Sequence, residues 1–210
     1  MSVGRIIESE ACVAEGLAWL VAHEPRFGEA LSVAREVPLR RRPDGFGALV
    51  DAIVSQQVSV ASARAIRGRL QDAGLDCAPA IAAAEDVALR ACGLSRPKMR
   101  YLRALAAAGL DFEALRALPD PAVIAELVAV PGVGRWTAEV YAMLALGRAD
   151  IFAPGDLALQ EAARGIFGLA ARPSEAALRA MADGWSPWRG VAARLMWAYY
   201  AQIRQREGIA

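Results

Sequence analysis

Apolar residues recur at helical spacing along almost the whole chain, while alternating, strand-like runs bounded by turns are missing. With 210 residues, 56% of them hydrophobic, the chain can fill the core of one substantial domain or of two small lobes. We therefore predict an all-α protein. The helices are expected over 10–22, 25–35, 45–56, 59–73, 85–92, 97–108, 111–117, 121–129, 135–146, 156–167, 174–183 and 187–205.

Glycine, serine, aspartate and proline mark where several of these helices begin and end. Glycine tolerates the left-handed backbone that commonly follows a helix, and a serine or aspartate side chain can accept hydrogen bonds from the first N–H groups. The predicted stops are Gly74, Gly93, Gly109, Gly147 and Gly168, and the predicted starts are Ser59, Ser174, Ser186 and Asp120, the last with Pro121 at the first helical position.

A Pro-Gly-Val-Gly turn at 131–134 separates two predicted helices. Its glycines allow a tight reversal, which leaves backbone N–H groups at the start of the second helix. Together with the positive end of the helix dipole, these groups could bind one phosphate without a basic side chain. An ordinary helix connection would show the same turn, so its neighbours in the sequence must decide between the two interpretations.

Asp156 follows Pro154 and Gly155 and precedes a predicted helix, which is the position of a helix N-cap. The same N–H groups that a cap satisfies also favour an ionised carboxylate. An N-cap can therefore also be a chemically active group.

Charge and cysteine usage limit the other possibilities. The net charge of +1 and the pI near 7.7 do not by themselves indicate a nucleic-acid binder. Basic residues cluster before the turn, at 40–42, 64–69 and 96–103, although solvated helix faces would look the same. Three widely separated cysteines and a single histidine, His23, predict free thiols in a reducing cytoplasm and no zinc or iron–sulfur site. We expect no signal peptide and no membrane span.

Five segments occur in an order typical of one family: 53–60, 93–98, the 128–138 turn region, 152–156 and 185–189. In them the chain resembles the helix-hairpin-helix (HhH-GPD) DNA glycosylases, and within these the 3-methyladenine DNA glycosylase II (AlkA) type. The resemblance implies a two-lobed, all-α fold with an interlobe cleft. The middle lobe would span about 45–145, and the second lobe would combine about 1–44 with 146–210. The 45 residues before Phe46 are too few for the N-terminal β domain of larger members, which implies a compact form.

The same resemblance implies hydrolysis of the N-glycosidic bond of alkylated bases, chiefly 3-methyladenine, in duplex DNA. Asp156 would be the catalytic carboxylate, stabilising the oxocarbenium-like sugar and orienting the attacking water. Relatives that also cut the strand have a lysine where this chain has Trp136. Lys98, the sole lysine, lies in another motif. The resemblance therefore implies a monofunctional glycosylase without lyase activity.

The family match also assigns the remaining site residues. Trp136, Tyr141 and Trp197 would line the substrate pocket, although the family's aromatic position aligns better with Val140 than with Tyr141. Gln57 would be the wedge that fills the gap left by the flipped base. The expected phosphate contacts are Gly132, Gly134 and Thr137, and the carbonyls expected to hold a Na⁺ or K⁺ ion are those of Val128, Val130 and Val133. No redox or organic cofactor is implied, and the protein is expected to act as a monomer on duplex DNA.

Two other functions remain open at this point. The first is a non-catalytic helix-hairpin-helix DNA-binding module, in which Asp156 is only a cap. The second is a glycosylase for an oxidised or deaminated base. The sequence does not rank 3-methyladenine against 7-methylguanine, ethenoadenine or 1-methyladenine, because a pocket distinguishes these bases by single atoms.

Overall fold

The computed structural model describes residues 3–206, which form helices and no β-strand; an isolated bridge joins Ile6 and Arg148. The helices are α1 (Glu10–His23), α2 (Arg26–Ala34), α3 (Phe46–Ser55), α4 (Val60–Asp72), α5 (Ala78–Ala83), α6 (Asp86–Ala91), α7 (Arg96–Ala107), α8 (Phe112–Ala117), α9 (Asp120–Val128), α10 (Arg135–Leu144), α11 (Leu157–Ile166), α12 (Glu175–Ala182) and α13 (Arg189–Arg206). The all-α prediction is confirmed.

The predicted helices are present, and most of their ends lie within two residues of the expected positions. The sequence did not indicate α5, because a six-residue helix rich in alanine has no long apolar stripe. It also missed a short 3₁₀ turn at Asp183–Trp185. The predicted stops are confirmed by positive φ angles at Gly74, Gly93, Gly109, Gly147 and Gly168.

The predicted caps were right at two serines and wrong at two other positions. The side chains of Ser59 and Ser174 accept N–H hydrogen bonds at the starts of α4 and α12. Asp120 is instead the first residue of α9, after Pro119 at the N-cap. Ser186 does not begin α13, since its hydroxyl donates to the Asp150 carboxylate at 2.8 Å. The Ser186 side chain bonds to a residue 36 positions away instead of capping the helix that follows it.

The chain divides into two compact units. The first comprises Arg42–Tyr141, where α3 packs on α4 and α7, and α5 packs on α7. Its core is aliphatic, with Leu49, Ile53, Leu102 and Leu127 fully buried.

The second unit comprises Gly4–Arg41 and the described chain from Ala142 to 206. In it α13 packs against α1, α2 and α11. An aromatic cluster lies at its centre, where Trp185 contacts Phe27, Phe152 and Phe167 with ring centroids 5.3–5.6 Å apart. The 185–189 motif thus contributes a core side chain, Trp185, shortly before the start of α13. Among residues 3–206 no helix is both long enough and apolar enough to cross a membrane.

Candidate active site and DNA-binding hairpin

The turn between α9 and α10 is tight because of Gly132. This residue has φ +95°, and a Cβ placed on it would overlap the side chain of Tyr101 on α7. Any larger residue would therefore be strained in the backbone and would also collide with the tyrosine. Gly134 differs, because it is exposed and a Cβ there would meet no atom within 4 Å. Gly132 is therefore needed for the backbone conformation of the turn. Gly134 leaves the outer surface of the turn free of side-chain atoms.

Backbone groups of the hairpin are partly used within it. The Val133 N–H donates to the Val130 carbonyl at 3.0 Å, and the Ala138 N–H donates to the Gly134 carbonyl at 3.0 Å. Arg135, Trp136 and Thr137 lie in the first turn of α10, where a helix offers N–H groups to an anion. The Thr137 side chain is buried, so a phosphate contact at this position would use its backbone.

The carbonyls predicted to hold a monovalent cation belong to Val128, Val130 and Val133. Val128 ends α9, and the other two residues lie in the turn itself. The Val130 carbonyl already accepts one hydrogen bond, and a carbonyl oxygen has a second lone pair. Uncharged oxygen donors in one short turn fit a hard cation. The cation itself stays a prediction. Among residues 3–206 no group of three or more His, Cys, Asp or Glu side chains could hold a metal ion.

The predicted wedge residue lies in the turn at 56–58, which we call the wedge turn and which is hydrogen-bonded to the hairpin. Gln57 follows α3, is exposed and has a left-handed φ of 55°, which is unusual for a residue other than glycine. Its neighbour Gln56 donates from Nε2 to the Gly132 carbonyl at 3.0 Å. The sequence singled out Gln57 and missed Gln56. The contact joins residues 76 positions apart, so no local pattern indicates it.

Lys98 forms a hydrogen bond with the end of α3, directly before the wedge turn. Its Nζ donates to the Val54 carbonyl, near the end of α3, at 2.7 Å. Only 9% of the residue is exposed, and burial lowers the pKa of its ammonium group. The sole lysine of the chain is therefore a structural donor at the wedge turn.

Asp156 is the N-cap of α11, as its position in the sequence indicated. Its Oδ1 accepts from the N–H of Ala158 at 2.9 Å and from the N–H of Leu159 at 3.1 Å. The same oxygen accepts from Nε1 of Trp197 on α13 at 3.2 Å. Donors of this kind stabilise negative charge on a carboxylate oxygen. The turn before the cap is also fixed, because the buried Gln160 side chain donates to the Pro154 carbonyl at 2.8 Å.

Trp197 is partly buried and has a second neighbour, Arg40. The Arg40 guanidinium lies over the indole, 5.6 Å from the ring centroid. Arg194, one turn before Trp197 on α13, is fully buried and donates to the carbonyls of Leu39, Gly190 and Met143 at 2.7–3.1 Å. Burial, helped by the nearby Arg41 and Arg40, lowers the pKa of Arg194 to about 10, so it stays charged at neutral pH.

The other predicted pocket residues, Trp136 and Tyr141, both lie on α10. Trp136 is 45% exposed, while Tyr141 is 5% exposed. The Tyr141 hydroxyl accepts from the Gly45 N–H at 2.9 Å, at the start of α3, and burial raises the pKa of its phenol. A bidentate Arg116–Asp44 ion pair lies beside it. Tyr141 thus has a clear structural role in the first unit, and its role in substrate binding stays a prediction.

Within each unit the structure brings some of the predicted residues together. The wedge turn contacts the hairpin in the first unit, and Asp156 contacts Trp197 in the second. Arg40 and Arg194 were missed as neighbours of this pair. An arginine inside the apolar run 191–198 is a signal for a buried, multiply bonded guanidinium, and could have indicated Arg194.

Comparison with known proteins gives relatives of one kind. DNA-3-methyladenine glycosylase 2 of Escherichia coli is 32% identical over 168 residues, which cover 73% of this chain and 57% of that protein. The alkylbase DNA glycosidase-like protein mag2 of Schizosaccharomyces pombe is 29% identical over 114 residues, covering 52% of this chain and 54% of its own length. The chain thus spans little more than half the length of these curated relatives.

One solved structure matches this chain over almost the whole length of both proteins. It is a DNA-3-methyladenine glycosidase from Bacillus halodurans, 31% identical, with a TM-score of 0.81 over 96% of this chain and 94% of that one. The residues from 50 to 187 match the family described as HhH-GPD superfamily base excision DNA repair protein. These residues include the wedge turn, the hairpin and Asp156, and the chain therefore belongs to the HhH-GPD superfamily.

Proposed function

We propose that this chain is a monofunctional DNA glycosylase that hydrolyses the N-glycosidic bond of alkylated bases in duplex DNA. The observation that carries the proposal is the Asp156 carboxylate, whose Oδ1 accepts hydrogen bonds from two N–H groups of α11 and from Trp197 Nε1. Support comes from relatives named as 3-methyladenine glycosylases and from a solved glycosidase that matches the chain almost end to end.

The chemistry follows from the placement of that charge. When the bond between C1′ and the base nitrogen breaks, its electron pair leaves with the base and the sugar becomes an oxocarbenium-like cation. A fixed carboxylate stabilises this cation, and water then adds to C1′ while its proton passes to a base such as Asp156. An alkylated purine that carries a positive charge departs as a neutral base. The reaction therefore needs no strong acid, and the products are the free base and an abasic site.

The proposed substrate is an alkylated purine, chiefly 3-methyladenine. A cationic base is attracted to the face of an electron-rich ring, and Trp197 places such a ring beside Asp156. The DNA would be held by a phosphate at the hairpin, around Gly132, Gly134 and Thr137. Gln57 would fill the space left by the flipped base. A Na⁺ or K⁺ ion on the carbonyls of Val128, Val130 and Val133 would neutralise phosphate charge there. We propose that the protein acts as a monomer.

The decisive variant is Asp156→Asn. Asparagine caps a helix about as well as aspartate, so the variant should fold normally while losing the charge. We expect release of methylated bases from duplex DNA to fall at least about 100-fold. Asp111→Asn is the matched control, since Asp111 caps α8 through the same pair of N–H bonds, at 3.0 and 2.9 Å. That variant should release bases at the wild-type rate.

Each alternative function predicts a different result. A binding-only module would release no base in any variant and would bind DNA equally well with and without the Asp156 charge. A glycosylase for another lesion would be inactive on methylated DNA and active on duplexes that carry oxidised or deaminated bases. For the monofunctional enzyme, strand breaks appear only after alkali, and borohydride traps no covalent protein–DNA complex. Trapping at Lys98 would overturn the hydrolytic mechanism.

A further inference from the structure

Arg40 is an exposed arginine that lies over the indole of Trp197, with its guanidinium carbon 5.6 Å from the ring centroid. Trp197 in turn donates to Asp156. A positive charge thus lies at the ring that is bonded to the candidate catalytic carboxylate. The catalytic chemistry described above has no use for this charge.

The backbone holds Arg40 in this place. Arg40 has φ 52°, a left-handed conformation that is costly outside glycine and tends to persist where the surroundings enforce it. The preceding carbonyl, of Leu39, accepts from Nε of the fully buried Arg194 at 2.8 Å. Because Arg194 and Trp197 lie one turn apart on α13, the loop is fixed to the helix that carries the indole.

We propose that Arg40 sets the charge preference of the site by disfavouring cationic bases relative to neutral ones. The inference rests on the proposed glycosylase function. A base that carries a positive charge must either displace the guanidinium from the indole or share the ring with a second positive charge. A neutral base of similar size meets no such repulsion. Arg40 therefore reduces the advantage that the indole gives to a cationic base over a neutral one.

The size of the effect follows from the exposure of Arg40. Cation–π contacts at exposed sites are weak, and the corresponding change in preference is about two- to fivefold. Salt screens charges near the surface, so the preference should shrink as ionic strength rises. A purely steric role for Arg40 would not depend on salt.

The first test uses Arg40→Gln and two duplexes of identical sequence, one with 7-methylguanine and one with ethenoadenine. The quantity measured is the ratio of the two single-turnover release rates, cationic lesion over neutral lesion. Effects on binding of the duplex itself are common to both substrates and cancel in the ratio. We expect the ratio to rise about two- to fivefold over wild type, and to rise less at high salt.

Arg35→Gln is the matched control. Arg35 is also exposed and also has a left-handed φ, of 64°. Arg35→Gln removes the same charge from the same connecting segment, so its ratio of release rates, cationic lesion over neutral lesion, should equal that of wild type. An equal rise in both variants would assign the effect to net charge, and an unchanged ratio in Arg40→Gln would overturn the inference.

A second test does not depend on catalysis. The indole N–H signal of Trp197, identified by its loss in Trp197→Phe, is followed by NMR during titration with 1-methyladenosine, which is cationic, or adenosine, which is neutral. We expect Arg40→Gln to tighten binding of the cation about two- to fivefold and to leave adenosine unchanged. Equal changes for both nucleosides, or none, would overturn the inference. If wild type releases no base yet this selectivity is present, the proposed function fails while the role of Arg40 stands.

Discussion

The indole Nε1–H of Trp197 and the carboxylate of Asp156 are joined by a hydrogen bond of 3.2 Å, to the same oxygen that caps α11. The carboxylate is thus oriented from two sides, by the start of one helix and by a side chain of another. A group held in this way does not need to reorganise when positive charge develops near it. Trp197 therefore orients Asp156, in addition to the stacking role proposed for its ring.

Trp197→Phe separates these two roles, because phenylalanine keeps an aromatic face and loses the N–H donor. A hydrogen bond to a charged group contributes about 1.5–3 kcal/mol, so we expect the single-turnover rate of base release to fall at least about tenfold. Trp19→Phe, which changes a tryptophan stacked on His23 in α1, should leave the rate unchanged. An unchanged rate in Trp197→Phe would show that the indole N–H does not contribute to catalysis and that Trp197 acts through its ring alone.

Gly132 and Gly134 should respond differently to alanine. Alanine at 132 meets Tyr101 and requires a positive φ, so Gly132→Ala should lower the free energy of unfolding by about 1–3 kcal/mol. Alanine at 134 meets open space and should leave stability unchanged. Urea denaturation measures both values. Gly134→Ala should still weaken binding of duplex DNA, because the added methyl group lies on the surface proposed to face the phosphate.

Gln56→Ala tests whether the wedge turn depends on the hairpin. Loss of the bond from Gln56 to the Gly132 carbonyl should cost about 1 kcal/mol, which corresponds to about fivefold weaker binding of DNA with an abasic site. Gln71→Ala, at an exposed position of α4, is the control and should bind as wild type does. Equal affinities for both variants would mean that the turn holds its shape without this bond.

Features with a local cause could be predicted from the sequence. The glycine stops, the hairpin and the Asp156 cap depend on residues within a few positions of one another, and the structure shows each of them. Helix boundaries shift by a residue or two because a proline can precede the first turn, as Pro119 does at α9.

The features that the sequence did not indicate depend on residues far apart in the chain. Arg40 and Trp197 are separated by 157 positions, and Ser186 bonds with Asp150 across 36 positions. Side-chain chemistry alone does not choose between a cap, an ion pair and a ring contact. Tertiary packing decides which of these contacts a side chain makes. It places the sole lysine, Lys98, in a hydrogen bond with the Val54 carbonyl beside the wedge turn.

The Cys12 thiol should be partly deprotonated at neutral pH. A hydrogen bond with the Ser9 side chain, followed by backbone hydrogen bonds from Glu8 and Ser9, lowers the pKa of Cys12 from 9.0 to about 7. The folded protein therefore binds fewer protons than the unfolded chain between these values. The resulting stabilisation is complete above pH 9.0 and is lost as the pH falls through about 7. The rate of iodoacetamide modification at Cys12, followed by mass spectrometry, should have its midpoint near pH 7. Ser9→Ala should move that midpoint upwards, and a wild-type midpoint close to 9.0 would contradict the role assigned to Ser9.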